Sequence, residues 1–506
     1  MRDVLAAISF LLFVLLGVPA RAQDVQELPA VKVTTTQPKP AKKTAGASKP
    51  AAQASAPSAA DDEQDRPLAF APSDDLDPRS ADVGIAQSAS QGVVTEAELA
   101  RRPVYRTGEL LEAVPGLVVT QHSGEGKANQ YFLRGFNLDH GTDLAISVDG
   151  MPVNMRTHGH GQGWADTNFI IPEIVRGLAY RKGPYFASEG DFSSAGAVHL
   201  DVVDMPKPNF AKVEIGEFGH RRAVTAASAP VGVDGTLMVA GEIARFDGPW
   251  ENPDDVRRLN GVVRYANGSY NNGFALTAMA YSGHWNATDQ IPAYAVDQGF
   301  IGRFGEIDPT DGGASHRYSL SGRWHETDAD TATRINAYIV KSDLALFSNF
   351  TYFLNDPVNG DQFQQADDRV LAGGSASKTY VSSLAGGMKA ATTIGLDTRY
   401  DDIDVGLHNT KARKRLSTVR EDHVKEASAG VFVENTLRWT DWFRTTVGLR
   451  GDLFHIDVSS DRPENDGSET DAILSPKAGI VIGPWANTEL YLNAGTGFHS
   501  NDARGV

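Results

Sequence analysis

The 506 residues include no cysteine. That excludes a disulfide framework, a cysteine nucleophile and every thiolate metal centre, so a metal would fall to His, Asp, Glu or Met. Positive charge is scarce as well: 47 Lys and Arg stand against 64 Asp and Glu, for a net charge of -17. A nucleic-acid partner needs a basic face to neutralise phosphates, and this balance excludes one. An acidic surface suits cations instead. Beyond the amino terminus there is no long apolar run, which excludes a membrane-crossing helix. Enzyme motifs are missing too. No G-x-S-x-G elbow occurs, and GEGK, Gly124 to Lys127, lacks the leading glycine and trailing Ser or Thr of a phosphate-binding loop, so it reads as a turn.

The single apolar run, Val4 to Val18, lies in MRDVLAAISFLLFVLLGVPARAQ, behind Arg2 and ahead of Ala20-Arg21-Ala22. A charged start, a run short for a bilayer and a small-x-small site describe a Sec-type signal peptide, residues 1–22, with Gln23 first in the mature chain. Residues 23–90 are rich in Ala, Pro, Lys, Ser and Thr, with an acidic patch from Asp61 to Asp77 whose only cation is Arg66. Such a segment buries too little apolar surface to offset chain entropy, so a disordered linker is expected. Within it ELPAVKVT, Glu27 to Thr34, places strand formers on a flexible leash, suited to adding a strand to another protein's sheet edge.

Residues 91–205 have the texture of a compact α/β domain. Thr95 with Glu98 three residues on marks a helix start, and Leu110, Leu111 and Val114 fall at helical spacing before Pro115-Gly116. Short strands are expected over 116–121, 130–135, 144–148 and 197–202, with a short helix near Pro172. From 206 to 506 strand follows strand. In YSLSGRWH, Tyr318, Leu320, Gly322 and Trp324 share one face and Ser319, Ser321, Arg323 and His325 the other. In TVGLRGDLF, Val447, Leu449 and Leu453 oppose Arg450 and Asp452, and in ELYLNAGTGF, Leu490 and Leu492 oppose Glu489 and Tyr491.

Three features separate this region from a soluble sandwich. The strands run to about ten or more residues, which suits a tilted bilayer crossing. Tyr265, Tyr270, Tyr281, Trp285, Trp324, Trp439, Trp442 and Trp485 fall near strand ends, where interface girdles sit. Short connections, SYNNGF and TDW, alternate with long polar ones, Trp285 to Ser315 and Lys341 to Lys378. The fold class is therefore membrane all-β, an antiparallel transmembrane β-barrel behind an amino-terminal α/β domain.

Export signal, strand-forming box, compact domain and barrel occur in that order. With the phrases LLEAVPGLVV, FLRGF, VDGMPV, VRGLAYRKGPYFASEGDFSSAGAVHL, LSPKAGIVIGP and LYLNAGTGF, the mature chain resembles the TonB-dependent outer-membrane receptors over essentially its whole length. One stretch departs: the family's tyrosine-glycine and Gly-Gly pair at the end of the plug stand here as SEGDFSSAGAV. The resemblance implies that residues 91–205 are a plug inside the barrel. It implies a TonB box made of Leu28, Pro29, Ala30, Val31, Lys32, Val33 and Thr34, which pairs with the TonB energy-transducing complex. Arg134 in FLRGF and Lys182 in YRKGP would be buried plug cations meeting barrel-wall carboxylates. The protein would be a monomer in the outer membrane of a Gram-negative bacterium, facing its lipid, with no cofactor of its own and no catalytic chemistry.

We count about thirteen strand candidates from Phe210 onward, an odd number, where closed bacterial barrels have an even one and this family about twenty-two. Unpaired edges are very costly in lipid. The chain is therefore expected to be an incomplete sequence or a truncated gene product lacking several carboxy-terminal strands; as a whole protein it would be non-functional.

The candidate ligand loop is RTHGHGQGWAD, Arg156 to Asp166. His122, Asp139, His140, Asp143, His158, His160 and Asp166 crowd one plug, and imidazole and carboxylate suit zinc, copper or nickel. His158, His160, Trp164 and Asp166 are expected to touch ligand, and His140, His158 and His160 are the candidate metal set. Glycine and histidine also suit a plain turn, so a structural loop stays open. The cargo is expected to be a ferric siderophore or other metal complex, with a bare transition-metal ion as the alternative; a passive pore or adhesin leaves the plug and the box unexplained.

Overall fold

A computed structural model describes residues 76–121, 124–269, 271–286 and 289–505. The signal peptide, the TonB-box segment 27–34, His122 and Tyr270 lie outside the described residues. The alternation read from the sequence builds one antiparallel sheet of 13 strands. They are β9 (Phe210–Ile215), β10 (Arg221–Val231), β11 (Gly235–Phe246), β12 (Val256–Gly268), β13 (Asn272–Asn286), β14 (Gly312–Thr327), β15 (Thr331–Ser348), β16 (Phe363–Ser383), β17 (Lys389–Lys411), β18 (Lys414–Thr440), β19 (Phe443–Ser460), β20 (Gly467–Trp485) and β21 (Thr488–Gly495). Each strand pairs with its sequence neighbours. β9 and β21 stand at the two ends of the order, and the sheet is not closed.

The period of two sorts the faces as expected. Tyr318 and Leu320 are exposed while Ser319 and Ser321 are buried, and Val447, Leu449 and Leu453 point out while Arg450 and Asp452 point in. An apolar outer and a polar inner face are what a lipid-facing barrel wall requires. Trp442 stacks on Trp485 beside the short turns, with ring centroids 6.3 Å apart, and Tyr265 packs on Phe274 at the same end. Tyr281 and Trp285 do not join this girdle. In β13 the odd-numbered residues face inward, and Trp285 is fully buried. It lies on Gly126, where a Cβ would sit 2.1 Å from the indole, so only glycine admits the ring. The connection expected from Lys341 to Lys378 is shorter than it reads, because β15 and β16 continue outward and leave only 349–362 between them. Polar residues on strands that extend past the bilayer look like loop in the sequence.

Inside lies the α/β plug. Its main sheet has the order β1-β7-β8-β5-β6, with β1 (Gln91–Thr95), β5 (Leu144–Val148), β6 (Met151–Pro152), β7 (Val175–Lys182) and β8 (Gly196–Val202). A smaller one pairs β2 (Leu117–Thr120), β3 (Gln130–Leu133) and β4 (Phe136–Asn137). Thr95 caps α1 (Glu96–Leu99), its N–H donating to Glu98 Oε2 at 2.8 Å. The helix does not run on to Val114, because Pro103 interrupts it. Leu110 and Leu111 are buried by a 3-10 helix, Thr107–Ala113, instead. Part of the linker expected over 23–90, residues 76–90, packs on the wall instead: Arg444 Nη2 donates to the Ala86 carbonyl at 2.6 Å and Gln87 Nε2 to Glu434 at 3.1 Å. Composition averaged over the window hid Leu76 and Ala86, which are buried. One apolar core runs from plug residues such as Ile146, Leu178 and Leu200 into the inner wall at Val224, Met238, Val262 and Leu371.

Candidate functional site

The stretch 156–166 leaves β6 and lies at the end of the lumen where the long connections are. There it meets the outward part of β16. Gly159 approaches that strand most closely: its N–H donates to Asp367 Oδ2 at 3.0 Å, and a Cβ would sit 2.7 Å from the Ala366 carbonyl oxygen. The following bend lays three imidazoles around one indole. His158 stacks on Trp164 at 4.9 Å with 12° between planes, while His160 and His140 meet the same ring at 5.0 and 5.1 Å. His140 Nδ1 donates to the Asn129 carbonyl at 3.0 Å, which leaves Nε2 of the neutral ring as a lone pair. That lone pair lies 3.2 Å from His160 Nε2, and His160 Nδ1 lies 2.8 Å from the Gln365 amide.

His140 and His158 are buried and His160 is half-buried, and burial disfavours a charged imidazole. It pushes His158 down to about 3 and His160 down to about 2, the latter helped by the neighbouring Lys127 ammonium. Both are neutral at any physiological pH. Asp166 is half-buried, and desolvation pushes it up to about 6; its Oδ1 accepts from the Asn168 N–H at 2.8 Å. Lys127 of the GEGK turn is buried too, and desolvation lowers it. Among the described residues no set of three or more His, Asp or Glu side chains is arranged to hold a metal ion. The three histidines thus form an aromatic cluster around Trp164, with only His140 and His160 turning nitrogens toward each other.

Among the described residues Arg134 and Lys182 do not make the ion pairs expected of them. Arg134 is exposed and donates to Ser90 Oγ at 2.6 Å; Lys182 donates to the Pro115 carbonyl at 2.9 Å. The polarity is reversed, with the wall supplying arginines and the plug carboxylates. Arg264 Nη1 meets Asp149 at 2.5 Å and its Nη2 meets Asp204 at 2.7 Å; Arg323 reaches Asp201 at 2.9 Å and Arg222 reaches Glu173 at 2.6 Å. Inward parity on β10, β12 and β14 was the available signal, since a charge at an inward position must find a partner in the lumen.

Residues 85–197 match the family described as TonB-dependent Receptor Plug Domain, and residues 245–505 the family described as TonB dependent receptor-like, beta-barrel. Vitamin B12 transporter BtuB of Vibrio vulnificus (strain YJ016) is 29% identical over 115 residues, 23% of this chain and 18% of that protein. The unliganded ferric citrate transporter FecA has a similar fold, with a TM-score of 0.70 at 12% identity over 83% of this chain and 64% of that one. Copper transporter OprC gives 0.61 at 20% identity over 81% and 63%. The chain thus spans 64% of the ferric citrate transporter's length. Plug, lumenal packing and matched barrel together make this chain a member of the TonB-dependent receptor family.

Proposed function

We propose that the receptor imports a scarce metal complex, of the ferric siderophore class, by TonB-dependent active transport across the outer membrane. ELPAVKVT, residues 27–34, is the segment the energy-transducing complex would engage. The work is mechanical, and no bond is made or broken in the cargo. The observation that carries the reading is the neutral imidazole–indole cluster at the long-loop end of the plug with a buried cation, Lys127, beside it. Neutral rings offer stacking and N–H donors, and an adjacent ammonium favours an anionic chelate over a free metal cation.

A second reading has its own support. His140 Nε2 and His160 Nε2 stand 3.2 Å apart, close to the separation two nitrogens show on a tetrahedral metal with bonds of about 2.0–2.1 Å. It takes a bare zinc or copper ion as cargo. Titration of the purified full-length receptor with Zn(II), with Cu(II) and with ferric citrate and ferric siderophores separates the two. The chelate reading expects binding of a ferric complex and only a mild loss in the His158→Ala/His160→Ala double variant. Tight binding of the bare ion that the double variant abolishes would establish the second reading instead. Radioiron uptake that continues in cells without a proton gradient would mark a passive pore and refute both.

A further inference from the structure

The plug is held very differently by the two sides of the lumen. On β10, β12 and β14 three wall arginines have plug carboxylates as partners: Glu173 for Arg222, which also holds Glu242 of β11, Asp149 for Arg264 and Asp201 for Arg323; Arg317 of β14 meets the plug through the Pro152 carbonyl. The apolar core crosses the same boundary through Val224, Val262 and Met279. On β16, β17 and β19 each of the inward arginines Arg369, Arg399 and Arg450 has a partner two residues away on its own strand. Arg369 pairs with Asp367 at 2.7 Å, Arg399 with Asp401 at 2.7 Å, and Arg450 with Asp452 at 2.6 Å. Period-two geometry puts such i, i+2 pairs side by side on one face. The plug meets two of these arginines with carbonyl oxygens, that of Thr157 at Arg369 and that of Asn154 at Arg399. Among the described residues, none of β17 to β21 belongs to the core the plug shares with the wall.

Between these hydrogen bonds the self-paired side leaves open space. A cavity of about 430 Å³ separates Arg181, Glu189 and Asp191 from Ser375, Ser377 and Thr393 of β16 and β17. Its volume is that of a small-molecule site. The wall leaves this space because AGGSAS, Ala372 to Ser377, carries only hydrogen, methyl and hydroxymethyl side chains. A plug drawn away from β10–β14 would strip Arg264 of its buried partner, whereas one drawn away from β16–β19 leaves these three arginine–aspartate pairs intact.

We infer that the cargo route runs along β15–β18, through this polar cavity, with the plug pivoting on its ion pairs to β10–β14. The inference rests on the transport reading above, and it assigns the passing molecule to small polar solutes that both arginines and carboxylates can solvate. Ser375 and Ser377 line the route, and Arg156, paired with Asp191 at 2.8 Å, stands where the ligand loop enters it.

The absence of cysteine supplies the test, because an introduced thiol is the only one in this chain. In the full-length receptor on intact cells, the trimethylammonioethyl methanethiosulfonate cation is added outside to Ser377→Cys and, for the opposite wall, to Thr277→Cys. The expected result is labelling of Ser377→Cys at least tenfold faster in energised cells than with a protonophore, and an unchanged rate at Thr277→Cys. Adding Ser375→Trp should slow the Ser377→Cys reaction at least tenfold, while an outer-loop thiol, Asn359→Cys, keeps the parental rate and so reports a folded receptor. Energy-dependent labelling of Thr277→Cys instead would overturn the route and leave the transport reading standing. A folded Ser375→Trp receptor with an unslowed Ser377→Cys would do the same. If energisation changes neither thiol, the transport reading falls and the route with it.

Discussion

The β10–β14 wall and the β16–β19 wall are made of the same residue types, arginine and carboxylate on inward positions, yet they treat the plug in opposite ways. Where the partner comes from decides the difference. A pair split between wall and plug fastens the two, because separating them leaves a buried charge without a partner. A pair completed on one strand satisfies the wall by itself, and the plug contributes no more than hydrogen bonds. Local charge spacing in the sequence thus sets where a lumenal domain is fixed and where it is released.

The largest effect should come from breaking the fastened side. Asp149→Ala removes a carboxylate shared by Arg264 and Arg323; Arg264 keeps Asp204 and Arg323 keeps Asp201, so the cost should fall at the low end of the range for breaking a buried pair, about 3 kcal/mol. Limited proteolysis of the plug should report faster cleavage; a plug as resistant as the parent's would mean the ion pairs do not hold it. On the released side the tightest approach is Gly159, where Gly159→Ala forces a methyl against the Ala366 carbonyl at a cost of about 1–3 kcal/mol. The His160–Gln365 contact should be lost first, visible as loss of amide-exchange protection in 156–166, and retained protection would contradict the packing.

Acid sharpens the comparison at the same apex. His158 and His160 have folded values far below their unfolded 6.5, so only the unfolded chain binds these protons as pH falls through 6, and stability is lost. Asp166 works in the other direction, being protonated in the folded state below about 6. Two protons against one leave a net of about one, or roughly 1.4 kcal/mol of stability lost per pH unit between pH 6 and 4. Against the His158→Gln/His160→Gln variant, which lacks both histidine protons, the parent should lose up to about 2.7 kcal/mol more per pH unit across this window; parallel profiles would show the rings are not held neutral. Arg134→Ala and Lys182→Ala should have the smallest effect, under about 1 kcal/mol each in thermal melts, since solvent-accessible cations held by one hydrogen bond, and for Lys182 a contact with the Tyr180 ring, contribute little. A large loss at either would restore the buried role the resemblance assigns them.

Much of this architecture is legible in the residues alone. The alternation in YSLSGRWH and TVGLRGDLF orients β14 and β19 correctly, since a period of two with one apolar face has a single register in a bilayer. VDGMPV turns between β5 and β6, VRGLAYRK forms β7, and RTHGHGQGWAD does lie at the plug's long-loop end. Two departures share one cause. Residue type without direction puts Tyr281 and Trp285 at the membrane interface and Arg134 and Lys182 in buried ion pairs. Side-chain direction in a strand can be read by counting parity from a known outward residue; direction in a loop cannot.

By itself the sequence determined the strand parity, the acidic balance, the absence of thiols and the i, i+2 Arg–Asp pairs, because all of these depend on composition or on neighbours within one segment. Only the tertiary structure decided which carboxylate Arg264 meets, that Gly126 yields its space to Trp285, and that His140, 20 residues from His160, points a lone pair at it. Those relations join segments far apart in the chain, and the packing of plug against wall, a property of no single segment, fixes them.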